Sequence, residues 1–237
     1  AKRVKEATSA SKKEIELNRR DDVKAASERN TKEKENETQT DKIIAKGTRS
    51  KFPLTLSPML ATLVDKPFDT EGWQYEIKWD GYRTIALCNN KKVELKSRND
   101  KAFNEKFYPV HKALQTWNIK AVVDGEVVVL DEDGKSNFGA LQNWRSEADG
   151  EIYFYVFDIL WLNGKDLMEV SLSERREILK QIIPENNIIR LSENFEVSGI
   201  EFFETTKKMG LEGIIAKKSD STYSPGNRSK AWLKIKA

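Results

Sequence analysis

From residue 52 onward the chain is organised by short runs in which aromatic and β-branched residues alternate with polar ones, and these runs predict strands. Trp73–Lys78 and Tyr82–Cys88 lie either side of Asp80-Gly81, which reads as a turn. Val93–Ser97 follows a turn at Asn89-Asn90. Ala121–Leu130 is an apolar run that ends in the loop Asp131–Gly134, and Ile152–Leu162 is nearly all apolar and ends in the hairpin signal Asn163-Gly164. Gly213–Lys218 and Ala231–Lys236 complete the strands. Helical spacing covers 103–117, 137–144, 173–183 and 198–209. The third helix has a capping box from Ser171 to Glu174 and stops at Pro184, and the fourth stops at Gly210. Consecutive strands joined by short turns, with helices interspersed, predict an α+β fold with antiparallel sheets.

Residues 1–50 have a different texture. They hold no aromatic residue and few large aliphatics, and opposite charges recur at i,i+4, as in Lys12/Glu16 and Lys24/Glu28. Such a segment buries too little apolar surface to offset its ordering entropy. It reads as a charged linker or tail, helical at most in part, ahead of a globular domain at 51–237.

Charge sharpens this division. The whole chain carries +3, but residues 1–50 alone carry +4, which leaves about −1 for the domain. A uniformly basic nucleic-acid coat is thereby excluded, and any such contact must use local patches. Cys88 and His111 are the only residues of their types, so an intrachain disulfide is impossible and histidine relays or histidine-rich metal sites are excluded. No apolar run has the length of a membrane span, no signal peptide opens the chain, and Ala1 rather than Met stands first, as in an excised piece.

The candidate chemistry starts at "YEIKWDGYR", residues 75–83. Residues two apart on a strand share a face, so Glu76 and Lys78 point together, opposite to Tyr75 and Ile77, with Arg83 returning just after the turn. Alone, this is a common charge cluster. It has ordered company in Ser97-Arg98, Asp124-Gly125-Glu126 inside an apolar strand, Phe157-Asp158, "EGIIAKK" from Glu212, and "WLKIK", where Lys234 and Lys236 share a face opposite Leu233 and Ile235. Carboxylates inside an apolar run are costly unless paired or bound to a cation.

In that order, K-x-D-G-x-R, S-R, D-G-E, F-D, E-G-I-I-x-K and W-L-K-x-K resemble the serial motifs of the covalent nucleotidyltransferases, which include ATP-dependent DNA ligases, RNA ligases and capping enzymes. "LSPMLATLVDKPF", "EIKWDGYR" and "YSPGNRSKAWLKIK" are most similar to the ligase domain of bacterial DNA ligase D, and the resemblance covers about residues 54–237. It implies an adenylation domain of two antiparallel sheets with flanking helices and ATP in the cleft between them. It also implies bacterial cytoplasm at the nucleoid, DNA repair by end joining, nicked or broken duplex DNA as substrate, and polymerase, phosphoesterase and Ku-like end-binding partners. The family continues past the last motif into an OB-fold domain that orients the pyrophosphate. This sequence stops at Ala237, so the expectation is a domain without that partner, which self-adenylates weakly and seals nicks poorly.

The resemblance assigns roles residue by residue. Lys78 attacks the ATP α-phosphate and becomes a lysine–AMP phosphoramidate. A lysine with the ordinary pKa of about 10.4 is protonated at neutral pH and does not attack, so cations beside it are required. Lys234, Lys236 and a divalent ion (Mg²⁺ or Mn²⁺) supply them, and the two lysines also hold the α-phosphate. Glu126 and Glu212 face the metal, with Glu126 alternatively on the ribose. Arg83, Arg98 and Arg228 contact the nucleotide, as do Ile77 and Lys217. Phe157 and Ile215 sandwich adenine, unless they are ordinary core, and Glu76 accepts its exocyclic amine. Asp80 and Asp158 are read as structural. The alternatives are an RNA ligase or capping-type enzyme, distinguished by an RNA substrate or by GTP, and a non-catalytic nucleic-acid-binding scaffold, distinguished by failure to take up labelled AMP.

Overall fold

Residues 39–184 and 186–237 are described in a computed structural model, and most of the expected tail (1–38) lies outside them. The compact unit that carries the motifs runs from Ile43 to Ala237. It therefore begins ahead of the boundary expected at residue 50. Ile43 is buried in the main core, and strand β1 (Thr48–Arg49) pairs with β8 (Lys165–Asp166) at one sheet edge.

The remaining strands fall in two sheets. In the first, the order is β1, β8, β7 (Ile152–Leu162), β6 (Lys120–Val129), β4 (Tyr82–Asn89) and β5 (Lys92–Ser97), with β9 (Ile189–Leu191) alongside β7. In the second, it is β10 (Asn194–Phe195), β3 (Trp73–Ile77), β11 (Gly213–Lys218), β12 (Arg228–Lys236) and β2 (Leu60–Leu63). Pairing is antiparallel except for β7 with β9 and β12 with β2, so the expected α+β fold holds with two parallel additions. After a helical stretch at residues 39–46, the helices are α1 (Tyr108–Trp117), α2 (Phe138–Asn143), α3 (Leu172–Ile182) and α4 (Gly199–Lys208), these four close to those expected.

Local sequence explains most element ends. Asn163 and Gly164 both have positive φ and close the β7–β8 hairpin, as the Asn-Gly signal requires. The Asn137 and Ser198 side chains cap α2 and α4 by accepting from the backbone N–H of Ala140 and Glu201. The capping box of α3 is not formed in its reciprocal form. Ser171 Oγ donates to the Glu174 carboxylate at 2.9 Å instead of capping the backbone, and Glu174 also pairs with Lys46.

The Asp80-Gly81 turn is the main departure. Trp73–Ile77 and Tyr82–Asn89 are not partners in a hairpin, because β3 belongs to the second sheet and β4 to the first. Residues 78–81 cross between them. Gly81 is needed there because a Cβ would sit 2.2 Å from the carbonyl oxygen of Val127. Asp80 N–H donates to Ser136 Oγ at 3.1 Å, and Trp79 stacks on Tyr155 of β7 with centroids 3.9 Å apart. These contacts hold the crossing against the first sheet.

Each sheet has two occupied faces. On the first, Ala86, Cys88, Val123 and Val127 enter the main core, whereas Ile85, Leu87 and Val122 face an inter-sheet cluster with Phe157, Tyr223 and Trp232. On the second, Tyr75, Ile214, Ala216 and Ile235 pack outward with Phe203 of α4. Its inner face is left to Glu76, Ile215, Lys217, Trp232 and Lys234.

Ile43→Ala is expected to cost about 2–4 kcal/mol, the range for a buried aliphatic truncation. Urea unfolding of the chain from residue 39 onward checks this, and a change below about 0.5 kcal/mol would exclude residues 43–50 from the folded unit.

Candidate active site

The cleft between the sheets collects nearly all of the expected residues. β3 supplies Glu76 and Ile77, and Lys78 and Trp79 begin the crossing. β11 and β12 supply Ile215, Lys217, Arg228, Trp232 and Lys234. The first sheet faces them with Arg83, Glu126 and Phe157, and Arg98 enters from the turn after β5. Registers explain the grouping. Ile215 lies opposite both Glu76 and Lys234, and Lys217 lies opposite both Gln74 and Trp232, so their side chains form adjacent rows on one face. Across the first sheet, Arg83 pairs with Glu126 and Glu126 with Tyr155.

Glu212 and Lys236 do not line the cleft wall itself. They join it at the rim, where Glu212 pairs with Lys78 and lies 3.5 Å from Lys236. The lysine of the K-x-D-G motif is thus already in contact with a carboxylate from the E-G-I-I segment.

Two expected contacts are already engaged within the protein. Arg83 makes a bidentate pair with Asp124 at 2.5 and 2.6 Å, and Asp124 also accepts from Tyr223 Oη at 2.6 Å. Arg83 lies over the Phe157 ring with 4.5 Å to the centroid, so it supports the floor of the cleft as well as facing it. Glu76 is 2% exposed, with Lys217 Nζ 2.8 Å from each of its oxygens. Asp158 is structural as expected, held in a fully buried bidentate pair with Arg175 at 2.7 and 2.8 Å.

The electrostatics favour an anion. Six cationic side chains line the cleft with only two acidic ones, Glu76 and Glu126, although the domain as a whole is nearly neutral. Burial lowers the pKa of Lys234, and Lys78, Arg228, Lys236 and Arg98 lower it further. Burial likewise lowers that of Lys217, against the pull of Glu76. Burial pushes the Glu126 carboxyl up to about 8 despite Arg83 and Lys78.

Four cleft residues were not expected from sequence: Leu60, Ala61, Trp79 and Trp232. Trp232 stands inside the W-L-K-x-K motif and was the most legible of them. Its indole Nε1–H is buried without a hydrogen-bond partner among the described residues. Leu60 and Ala61 lie in β2, a strand too short to show a period.

Comparison with known proteins places these features. The model of the ATP dependent DNA ligase domain matches residues 58–236. The chain belongs to this family. It is 38% identical over 195 residues to the multifunctional non-homologous end joining protein LigD of Mycolicibacterium smegmatis, covering 81% of this chain and 25% of that protein. The LigD of Pseudomonas aeruginosa is 37% identical, over 80% of this chain and 23% of that protein. The chain therefore spans about a quarter of the length of these curated relatives. The ligase domain of Mycobacterium tuberculosis LigD aligns with a TM-score of 0.69 at 32% identity, covering 76% of this chain and 59% of that one. A mycobacterial DNA ligase D complexed with ATP and MES aligns at 0.67, with 32% identity over 76% of this chain and 60% of that one.

In this ligase domain Glu126 gives a measurable sign. Folded, it keeps its proton up to about pH 8, against an ordinary value of 4.5. The native state then binds more protons than the unfolded chain between those values. This contribution to stability is complete below the unfolded pKa and is lost as pH rises through the folded one. Glu126→Gln stays neutral throughout. Its melting temperature is expected to match the wild type near pH 4 and to exceed it at pH 9 by about 3 °C or more. A difference that does not change between these pH values would contradict the buried, proton-holding carboxyl.

Proposed function

We propose that this domain performs the nucleotidyl-transfer step of an ATP-dependent DNA ligase, with Lys78 as the nucleophile. The observation that carries the reading is the position of Lys78. It stands where the chain crosses between the two sheets, at the mouth of a cation-lined cleft, with Phe157 on one wall and Ile215 on the other.

The adenine base stacks between Phe157 and Ile215, with its exocyclic amine on Glu76. Lys234, Arg98 and Arg228 receive the phosphates, and Lys236 adds charge at the rim. Lys78 exchanges Glu212 for the α-phosphate. Its amine lone pair forms the N–P bond while the bond from the α-phosphorus to the bridging oxygen breaks, and pyrophosphate leaves with that electron pair. The nitrogen releases a proton to solvent as the N–P bond forms. AMP then passes from Lys78 to a DNA 5′-phosphate, and the adjacent 3′-hydroxyl displaces it to seal the strand.

Glu212, and Glu126 once it gives up its proton on cation binding, suit a metal that completes its shell elsewhere. Among the described residues no group of three or more acidic, cysteine or histidine side chains forms a self-sufficient metal site. Mg²⁺ commonly binds through one or two carboxylates plus substrate phosphates, and Mn²⁺ would use the same ligands. When bound there, the ion would neutralise the phosphates during transfer.

By kinship with proteins named for non-homologous end joining, the substrate is nicked or broken duplex DNA in the bacterial cytoplasm. An OB-fold domain, polymerase and phosphoesterase domains and a Ku-like end-binding protein are the proposed partners.

Incubation with ATP labelled at the α-phosphate and Mg²⁺, followed by a denaturing gel, tests the reading. Labelled wild type is expected, together with an unlabelled Lys78→Ala variant whose melting temperature is nearly unchanged. Label retained on the variant would remove Lys78 from its role.

A further inference from the structure

Beside the base end of the cleft, α3 buries a guanidinium whose hydrogen bonds reach both sheets. Arg176 is 2% exposed. Its Nη1 donates to Glu76 Oε1 at 3.1 Å and to the Phe157 carbonyl at 2.9 Å. Nε donates to Asn194 Oδ1 at 2.9 Å, and Nη2 to the Ser192 carbonyl at 2.5 Å. Glu76 belongs to the second sheet and Phe157 to the first. One planar fork therefore fixes a carboxylate on one wall and the backbone behind an aromatic ring on the other.

With Lys217 on both oxygens, Glu76 accepts three hydrogen bonds. An ionised carboxylate has about four lone-pair positions and no donor. About one position is left open.

We propose that Arg176 is a positioning residue for base selection: it orients the Glu76 carboxylate and sets the Phe157 wall so that the remaining acceptor position takes the 6-amino group of adenine and rejects the 6-keto group of guanine. This rests on the reading of the cleft as the ATP site. A fixed, ionised Glu76 offers a keto oxygen only repulsion. Without Arg176 the carboxylate loses the Nη1 hydrogen bond to Oε1 that, together with Lys217, fixes its orientation. Free to turn about Lys217, the carboxylate no longer holds its open acceptor position against the base edge, and the distinction between an amino donor and a keto acceptor weakens.

The test is equilibrium titration with ATP and with GTP, with melting temperatures recorded for every chain. The chains are wild type, Arg176→Met, Arg176→Lys, Glu76→Gln and the double variant Glu76→Gln/Arg176→Met. Arg176→Met is expected to reduce the preference for ATP over GTP about tenfold, as loss of one well-oriented hydrogen bond would. Arg176→Lys should retain most of that preference. In the Glu76→Gln background, Arg176→Met should change the preference no further, because its effect passes through Glu76. A folded Arg176→Met with unchanged preference, or an equal loss in both backgrounds, would make Arg176 a structural residue only. If Arg176→Met does not fold, the two Glu76→Gln chains decide: equal preference supports the inference, and a further loss in the double variant overturns it. A Glu76→Gln chain with wild-type preference would instead remove Glu76 from base recognition, and the inference with it. A changed preference in Glu76→Gln with none in Arg176→Met defeats the inference alone.

Discussion

The crossing at residues 78–81 is the constraint on which the rest depends. A chain that leaves one sheet after Ile77 and enters another at Tyr82 must hold the two sheets together at that point and leave a gap beside it. Gly81 permits the approach to Val127, and Trp79 on Tyr155 fixes the direction. Lys78 is thereby placed at the edge of the gap, without depending on a flexible loop to carry it. The cleft is a consequence of topology, and its chemistry follows from which strand faces are turned inward.

Charge in and around that gap is handled by pairing. Asp124 with Arg83, Asp158 with Arg175 and Glu76 with Lys217 and Arg176 each place a buried or nearly buried carboxylate against at least one cation. Such pairs add little net stability compared with apolar packing, but removing one partner is costly because it leaves a charge uncompensated. They do fix positions. The cleft is therefore shaped before any nucleotide arrives, which reduces the ordering that binding must supply.

Much of this was legible in the sequence, and the failures have physical causes. The alternation in "YEIK" placed Glu76 and Lys78 on one face, and "WLKIK" placed Lys234 opposite the core residues Leu233 and Ile235. Asp80-Gly81 was read as a turn between neighbouring strands because turn residues report local backbone geometry and not which sheet the next strand joins. Strands β2, β9 and β10 are two to four residues long, too short to carry a period. The engagement of Arg83 with Asp124 and of Glu76 with Arg176 is separated by 41 and 100 residues in sequence, so no local pattern could announce it. Nothing in the local sequence sets Arg176 apart from the other charges of α3. Its burial depends on acceptors brought by strands of both sheets.

The central claim is that the inter-sheet cleft holds the nucleotide with its base between the walls and its α-phosphate at Lys78. A crystal structure of this domain with ATP tests it most directly. The adenine ring is expected between Phe157 and Ile215, with Lys78 Nζ the lysine nitrogen closest to the α-phosphorus. A base bound outside those walls, or a triphosphate directed away from Lys78, would contradict it.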